Sequence, residues 1–272
     1  MRASMADRFI KMHGLGNDFV VIDARANSVA MPPARARAIA DRREGIGCDQ
    51  VILLERSDIA NVRMRVFNAD GGEVSACGNA SRCVATLLGA NATIETAAGV
   101  LEVEGDTDSA TVDMGAPGLE WERIPLALPM DTRDMPVGWG SLERPDAVNM
   151  GNPHVVFFVA DADAVDLAAI GPEIETDPLF PERVNVNIAS VSDTGHLRLR
   201  VWERGAGLTR ACGTGACASA VAAIRRRLVT SPVTVELPGG NLKIEWAEGG
   251  TVKMSGPASR VFEGETDWSR FG

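Results

Sequence analysis

The sequence has no excess of positive charge. Lys and Arg number 27 against 37 Asp and Glu, leaving a net charge of −10 across 272 residues. A nucleic-acid partner needs a basic surface to neutralise phosphates, so that class is excluded. No apolar run is long enough to span a membrane, which excludes an integral helical membrane protein. The N-terminus has no succession of basic, apolar and small-residue regions, so a cytoplasmic chain is expected. Cysteine is scarce and odd in number, at five. That argues against a disulfide framework and for reduced thiols. Tyrosine is absent, and there are only three histidines. What is present is a large apolar fraction, 45 %. It is enough for a sizeable core, and the length suits two domains of ordinary size.

Two of the five cysteines stand in matching contexts, Ala76-Cys77-Gly78-Asn79-Ala80 and Ala211-Cys212-Gly213-Thr214-Gly215. Their separation, 212 − 77 = 135, is about half the chain. The same offset sets Arg63-Met-Arg-Val-Phe-Asn68 on Arg198-Leu-Arg-Val-Trp-Glu203. It also sets Gly16-Asn17-Asp18-Phe19 on Gly151-Asn152-Pro153-His154, and Gln50-Val51 on Asn185-Val186. Beyond the cysteines the offset becomes 141, aligning Thr93–Thr96 and Gly99 with Thr234–Leu237 and Gly240. A long-period repeat of this kind points to two similar halves. Their boundary is expected near residues 115–120, where Gly115, Pro117 and Gly118 cluster.

Each half reads in the same order. An apolar strand (Phe19–Ile22; Val155–Val159) precedes a short helix (Ala34–Arg43; Val165–Ile170). Two strands follow (Val51–Leu54 and Val62–Phe67; Val186–Val191 and Leu197–Trp202). A glycine-containing loop then reaches the cysteine. Next comes a helix with apolar residues at Ala80, Cys83, Val84, Leu87 and Leu88, or at Cys217, Ala220, Val221, Ile224 and Leu228. Hairpin-like strands close each half (Thr93–Val103; Val233–Trp246 and Thr251–Ser255). The predicted class is α+β, with two pseudo-symmetric domains, each a curved, mostly antiparallel sheet or barrel around a central helix. The first domain is expected over residues 1–117 plus about 261–272, the second over 118–260.

Placing a cysteine at the start of a helix has two chemical consequences. The unpaired amide N–H groups and the positive end of the dipole favour thiolate, lowering the thiol pKa. The same groups offer a site for a carboxylate, which Gly78 and Gly213 let approach closely. Asn79 and Thr214 fall in the first turn. If the two halves face one another, two such units suit a 1,1-proton transfer. One thiolate removes an α-proton, and the other thiol returns a proton to the opposite face. With no electron sink the developing charge must flow into the substrate carboxylate, where helix-start amides can stabilise it. Cys83 and Cys217 lie on the apolar helix stripes and read as core; Cys48 reads as structural.

At these residues the chain resembles diaminopimelate epimerases. The segments are Met12-His-Gly-Leu-Gly-Asn-Asp-Phe19, Gly45-Ile-Gly-Cys-Asp-Gln50, Phe67-Asn-Ala-Asp-Gly71 running to Ala76–Arg82, Gly151–His154, Arg183–Asn185, and Glu203-Arg-Gly-Ala206 running to Ala211–Gly215. The resemblance implies interconversion of LL- and meso-diaminopimelate in lysine and peptidoglycan precursor synthesis, with no pyridoxal phosphate and no metal. It implies that Cys77 and Cys212 are the catalytic thiols. By position, Asn17, Gln50, Asn68, Asn152, Asn185, Glu203 and Arg204 match the family's substrate-binding side chains. Gly78-Asn79 and Gly213-Thr214 match its carboxylate-binding helix starts, and His154 and Glu203 match residues that tune the thiols. A homodimer is implied too. The chain departs from the family pattern at Cys48, where Ala is usual, at Gly72 and Ala80, and at Phe262, where some members carry Tyr.

Three other readings fit less well. Proline and hydroxyproline racemases share the fold but carry Cys-Gly-His at the first thiol, where this chain has Cys77-Gly78-Asn79. A redox or zinc module fails on spacing, because Cys77/Cys83 and Cys212/Cys217 are not Cys-x-x-Cys and no histidine lies near. A nucleotide-binding loop fails because Cys212-Gly-Thr-Gly-Ala-Cys217 lacks the P-loop lysine.

Overall fold

A computed structural model describes residues 8–75, 77–89 and 91–271. The chain divides into two compact units, residues 1–112 with 256–272 and residues 113–255.

The first unit contains β1 (Arg8–Gly14), β2 (Asn17–Asp23), α1 (Pro33–Ala40), β3 (Gln50–Glu55), β4 (Val62–Asn68), β5 (Glu73–Val74), α2 (Gly78–Leu88), β6 (Ala92–Thr96), β7 (Gly99–Gly105) and β8 (Ser109–Asp113). The second contains β9 (Gly138–Trp139), β10 (Leu142–Glu143), β11 (Asp146–Asn149), β12 (Pro153–Phe158), α3 (Leu167–Glu175), β13 (Asn185–Asp193), β14 (His196–Glu203), β15 (Gly207–Thr209), α4 (Gly213–Arg225), β16 (Val233–Leu237), β17 (Gly240–Glu245) and β18 (Lys253–Pro257). The chain then re-enters the first unit as β19 (Ser259–Glu265), antiparallel to β1 from Arg8↔Glu265 onward. It ends on a 3₁₀ turn, Trp268–Phe271, against α1.

Both units run through the same pairings. In the first, β1–β2, β3–β4, β4–β5, β6–β7 and β7–β8 are antiparallel, while β2–β3 and β4–β6 are parallel. In the second, β11–β12, β13–β14, β14–β15, β16–β17 and β17–β18 are antiparallel, while β12–β13 and β14–β16 are parallel. Element starts keep the offsets seen in the sequence: 185 − 50 = 135 for β13 and β3, 213 − 78 = 135 for α4 and α2, and 233 − 92 = 141 for β16 and β6. The fold is α+β, mostly antiparallel sheet with few helices.

Local sequence explains the elements. In β4, Val62, Met64 and Val66 are buried while Arg63 is exposed, the period-two pattern of a half-covered strand. β2 and β3 form a parallel pair, and Phe19–Ile22 and Val51–Leu54 are buried without alternation, because both sheet faces are covered. Each fully buried aliphatic or aromatic side chain contributes roughly 1.5–3 kcal/mol by leaving water. α2 lies on β1, β6 and β7, and α4 lies on the strands from β11 to β14 and on β16 and β17. α4 is buried along most of its length from Ala216 to Ala223.

Several elements differ from expectation: α1 ends at Ala40, short of Arg43, and the short strands β5, β9, β10, β11 and β15 lie outside the expected ones. β1 carries no clean alternation and is recognisable only through its partners β2 and β19. α3 continues to Glu175 through Pro172 instead of stopping at Ile170. The Asp166 side chain caps it by accepting from the Ala169 amide, and burial of Leu167, Gly171 and Ile174 offsets the backbone bond that proline removes.

Candidate active site

In the first unit the site begins at the β1–β2 hairpin. Gly14 pairs with Asn17, leaving a two-residue turn, Leu15-Gly16, with positive φ at both positions. That is the turn geometry that suits a right-twisted hairpin, and Gly16 accepts it without strain. It places Asn17 at the first position of β2. Cys77 is the N-cap residue of α2 and is half-buried, and its Sγ lies 3.9 Å from Asn17 Oδ1. Asn79 Nδ2 donates to the same Asn17 oxygen at 3.3 Å, and Asn79 Oδ1 accepts from the buried Arg82 at 2.9 Å. Gln50 and Asn68 face each other across β3 and β4, with Gln50 Nε2 donating to Asn68 Oδ1 at 2.8 Å. Gln50 Oε1 is buried without a hydrogen-bond partner among the described residues.

A charged cluster supports Asn17 from behind. Asn17 Nδ2 donates to Asp49 Oδ2 at 2.9 Å, and the Asp18 amide donates to that oxygen at 3.1 Å. Arg42 bridges Asp18 and Asp49 at 2.6 and 2.7 Å, and Lys11 donates to Asp18 at 2.6 Å. Burial opposes charge on Asp18. Hydrogen bonds from Arg42 and Lys11 outweigh it and hold the carboxyl well below the usual range.

In the second unit Cys212 is the N-cap residue of α4 and is buried. Its Sγ accepts from the Gly215 amide at 3.4 Å and lies 3.6 Å from Thr214 Oγ1. These are the helix-start contacts that favour thiolate, yet burial pushes the Cys212 thiol well above its ordinary pKa, and the Glu203 charge adds to the rise. The lowering expected from the helix start alone is therefore reversed at Cys212. Burial also raises the Glu203 carboxyl, while hydrogen bonds with Thr209 and Cys212 lower it. Cys48 and Cys83, each pushed by burial to about 12, behave as small core residues.

Asn185 is buried, with both ends of its side chain on the backbone. Nδ2 donates to Pro153 O at 2.7 Å, and Oδ1 accepts from the Arg204 amide at 3.0 Å. Glu175 accepts from the Gly205 amide at 3.0 Å, so the Glu203–Gly205 turn is held from two sides. The exposed Arg204 guanidinium donates to Glu182 O at 2.8 Å. His154 is fully buried, and burial depresses its pKa to about 3, so the ring is neutral. Its Nε2 lies 3.0 Å from Asn152 Oδ1 and its Nδ1 lies 3.2 Å from Asn187 Nδ2.

The expected residues thus gather by unit. Asn17, Cys77 and Asn79 cluster in the first, with Gln50 and Asn68 paired on β3 and β4. In the second, Cys212, Thr214 and Glu203 come together, as do Asn152 with His154 and Asn185 with Arg204. Asp49, Arg42, Thr209, Glu175 and Asn187 were not singled out from the sequence. Asn187 carried a usable signal, because it sits two residues after Asn185 and so on the same face of β13. Asp49 is adjacent to Gln50 but points to Asn17, a contact that only the fold creates.

Solved structures show how widely the fold is shared. A phenazine biosynthesis protein of the PhzF family from Bacillus anthracis superposes with a TM-score of 0.68 at 17 % identity, covering 96 % of this chain and 98 % of that one. A hydroxyproline epimerase from Agrobacterium vitis, solved with bound trans-4-hydroxy-L-proline, gives 0.67 at 17 % identity over 98 % and 92 %. At such identities the likeness is one of fold, the fold shared by these proteins and the diaminopimelate epimerases. The family itself follows from sequence. The diaminopimelate epimerase family model matches residues 9–120 and 146–261. A diaminopimelate epimerase of Sphingopyxis alaskensis is 69 % identical over 98 % of this chain and 100 % of its own length, and one of Rhizorhabdus wittichii is 64 % identical over 98 % of each. This chain belongs to the diaminopimelate epimerase family and is an isomerase.

Proposed function

We propose that this chain interconverts LL- and meso-diaminopimelate without a cofactor, with Cys77 and Cys212 as the acid and base. The supporting observation is the equivalence of the two thiols. Each is the N-cap of the helix at the same step of its unit, 135 residues apart, beside polar side chains that a packed core would not need.

The reaction needs one thiolate and one thiol at the α-carbon. The thiolate takes the α-proton and becomes a thiol. The other thiol gives its proton to the opposite face and becomes a thiolate, so the centre inverts and the protons balance. Glu203 beside Cys212 accepts the thiol proton when that residue must act as base. The carbanion charge passes into the α-carboxylate, where the amides at Gly78-Asn79 and Gly213-Thr214 stabilise it. Asn17, Gln50, Asn68, Asn152 and Asn185 orient the substrate directly or through the backbone. Arg204 and Glu203 read the charged groups of its far end. His154 has Asn152 and Asn187 at its two ring nitrogens, so it tunes a thiol through its dipole and not by taking the proton.

The two compact units are the two epimerase halves, and β19 returns the chain to the first. Among the described residues no helix is long and apolar enough to cross a membrane. A cytoplasmic homodimer completes the reading, and sedimentation of the purified chain measures its mass directly. Purified protein should convert LL- to meso-diaminopimelate with no pyridoxal phosphate added and with a metal chelator present. Activity lost on chelation and restored by a metal would overturn the cofactor-free reading.

A further inference from the structure

We infer that Asn187 is a positioning residue: it locks His154 in one neutral tautomer and thereby aims the Asn152 side chain. The Asn187 amide is the anchor of this chain of contacts. Its Nδ2 faces three acceptors: Val155 O at 3.0 Å, Asn185 O at 3.2 Å and His154 Nδ1 at 3.2 Å. Two of these are backbone carbonyls. Turning the amide over would set its oxygen against both, so the NH2 end must point there. His154 Nδ1 is then an acceptor and carries no proton. A neutral imidazole holds its single proton on the other nitrogen, so Nε2–H donates to Asn152 Oδ1 at 3.0 Å. With its oxygen turned to the ring, Asn152 directs its NH2 group, a pure donor, away from His154.

The fold does not require this polar chain. His154 and Asn187 are each fully buried, on adjacent parallel strands β12 and β13. Subtracting the repeat offset of 135 gives Phe19 and Ile52, which occupy the same places on β2 and β3 and are also fully buried. The first unit fills with hydrocarbon what the second fills with an imidazole and an amide. Asn187 Oδ1 is moreover buried without a hydrogen-bond partner among the described residues. A buried unpaired carbonyl costs stability, so the amide is retained for what its NH2 end does. That oxygen leans on Gly215, where a Cβ would stand only 2.6 Å away; the equivalent residue of the first unit, facing no such amide, is Ala80.

The consequence for catalysis rests on the proposed role of Asn152 in holding substrate; the tautomer itself does not. The test uses the full-length protein labelled with 15N in its three histidines. Long-range proton–nitrogen correlation should show His154 with an unprotonated Nδ1 and a protonated Nε2, unchanged from about pH 5 to 9. His154→Phe assigns the signal by its disappearance. A protonated Nδ1, or a ring that titrates within that range, would overturn the inference. Asn187→Ile combined with His154→Phe transplants the first unit's own pair and should fold to a protein of similar melting temperature. Asn187→Ile alone, which removes the lock but keeps His154, should show a KM for diaminopimelate raised about tenfold, with kcat changed much less, as expected for one misdirected hydrogen bond. A wild-type KM in folded Asn187→Ile would equally overturn it. Wild-type protein that shows the tautomer but does not epimerise diaminopimelate would instead sink the functional reading and leave the tautomer lock standing.

Discussion

Gly215→Ala offers a quantitative check on the packing around Cys212. The added Cβ would stand 2.6 Å from Asn187 Oδ1 and 3.3 Å from Cys212 Sγ. A relaxed carbon–oxygen contact is about 3.3 Å, so roughly 0.7 Å must be found in a buried site. Overpacking on that scale costs about 1–3 kcal/mol. Alanine also improves on glycine within a helix by up to about 1 kcal/mol, and less in the first turn. The net expectation is a loss of about 0–3 kcal/mol, with activity reduced because the Asn187 amide is pushed off His154. Asn187 Oδ1 is much the nearer obstacle, so removing it should remove most of the penalty. In an Asn187→Ala background the same Gly215→Ala change should be neutral or slightly stabilising. Urea unfolding of the four proteins closes a double-mutant cycle with a predicted coupling of about 1–3 kcal/mol. A coupling below about 0.5 kcal/mol would show that Asn187 does not press on the helix start, and would refute the reasoning.

Further outcomes follow from the same geometry. Cys77→Ser and Cys212→Ser should each lower kcat by several orders of magnitude, because a hydroxyl is far too weak an acid for this exchange; Cys83→Ala should leave kcat nearly intact and lower the melting temperature. Arg204→Lys should raise KM at least tenfold, since an ammonium lacks the planar two-donor fork, and unchanged kinetics would remove Arg204 from substrate reading. Asp18→Asn should destabilise the protein at pH 7 by about 1–3 kcal/mol. The folded carboxyl is held below its unfolded value, so its contribution is complete above about pH 4 and fades as acid protonates it, and wild type and variant should converge in acid unfolding curves.

Much of this architecture is legible in the sequence, because the repeat fixes element order in both halves at once. Gln50 and Asn185 could be set on matching strands, and Cys77 and Cys212 on matching helix starts, without any contact being known. Burial could not be read this way. A helix start by itself lowers a thiol pKa, but at Cys212 depth in the protein and the Glu203 charge reverse it. The supporting residues were hidden for a related reason. Asp49 matters through Asn17, 32 residues away, and Glu175 through Gly205, 30 away, and no local pattern encodes such pairings. β1 is legible only as the partner of β19 from the far end of the chain.

The most direct test of the two-thiol account is the fate of the α-proton when LL-diaminopimelate reacts in deuterium oxide. The proton leaves to one sulfur and the replacement comes from the other, which has exchanged with solvent. At early times the meso product should therefore carry one α-deuterium per turnover while the remaining LL substrate stays almost unlabelled. Starting from meso, the pattern should reverse. Product that retains the original proton, or label that enters substrate as fast as product, would mean that a single group serves both faces, and would contradict the paired roles of Cys77 and Cys212.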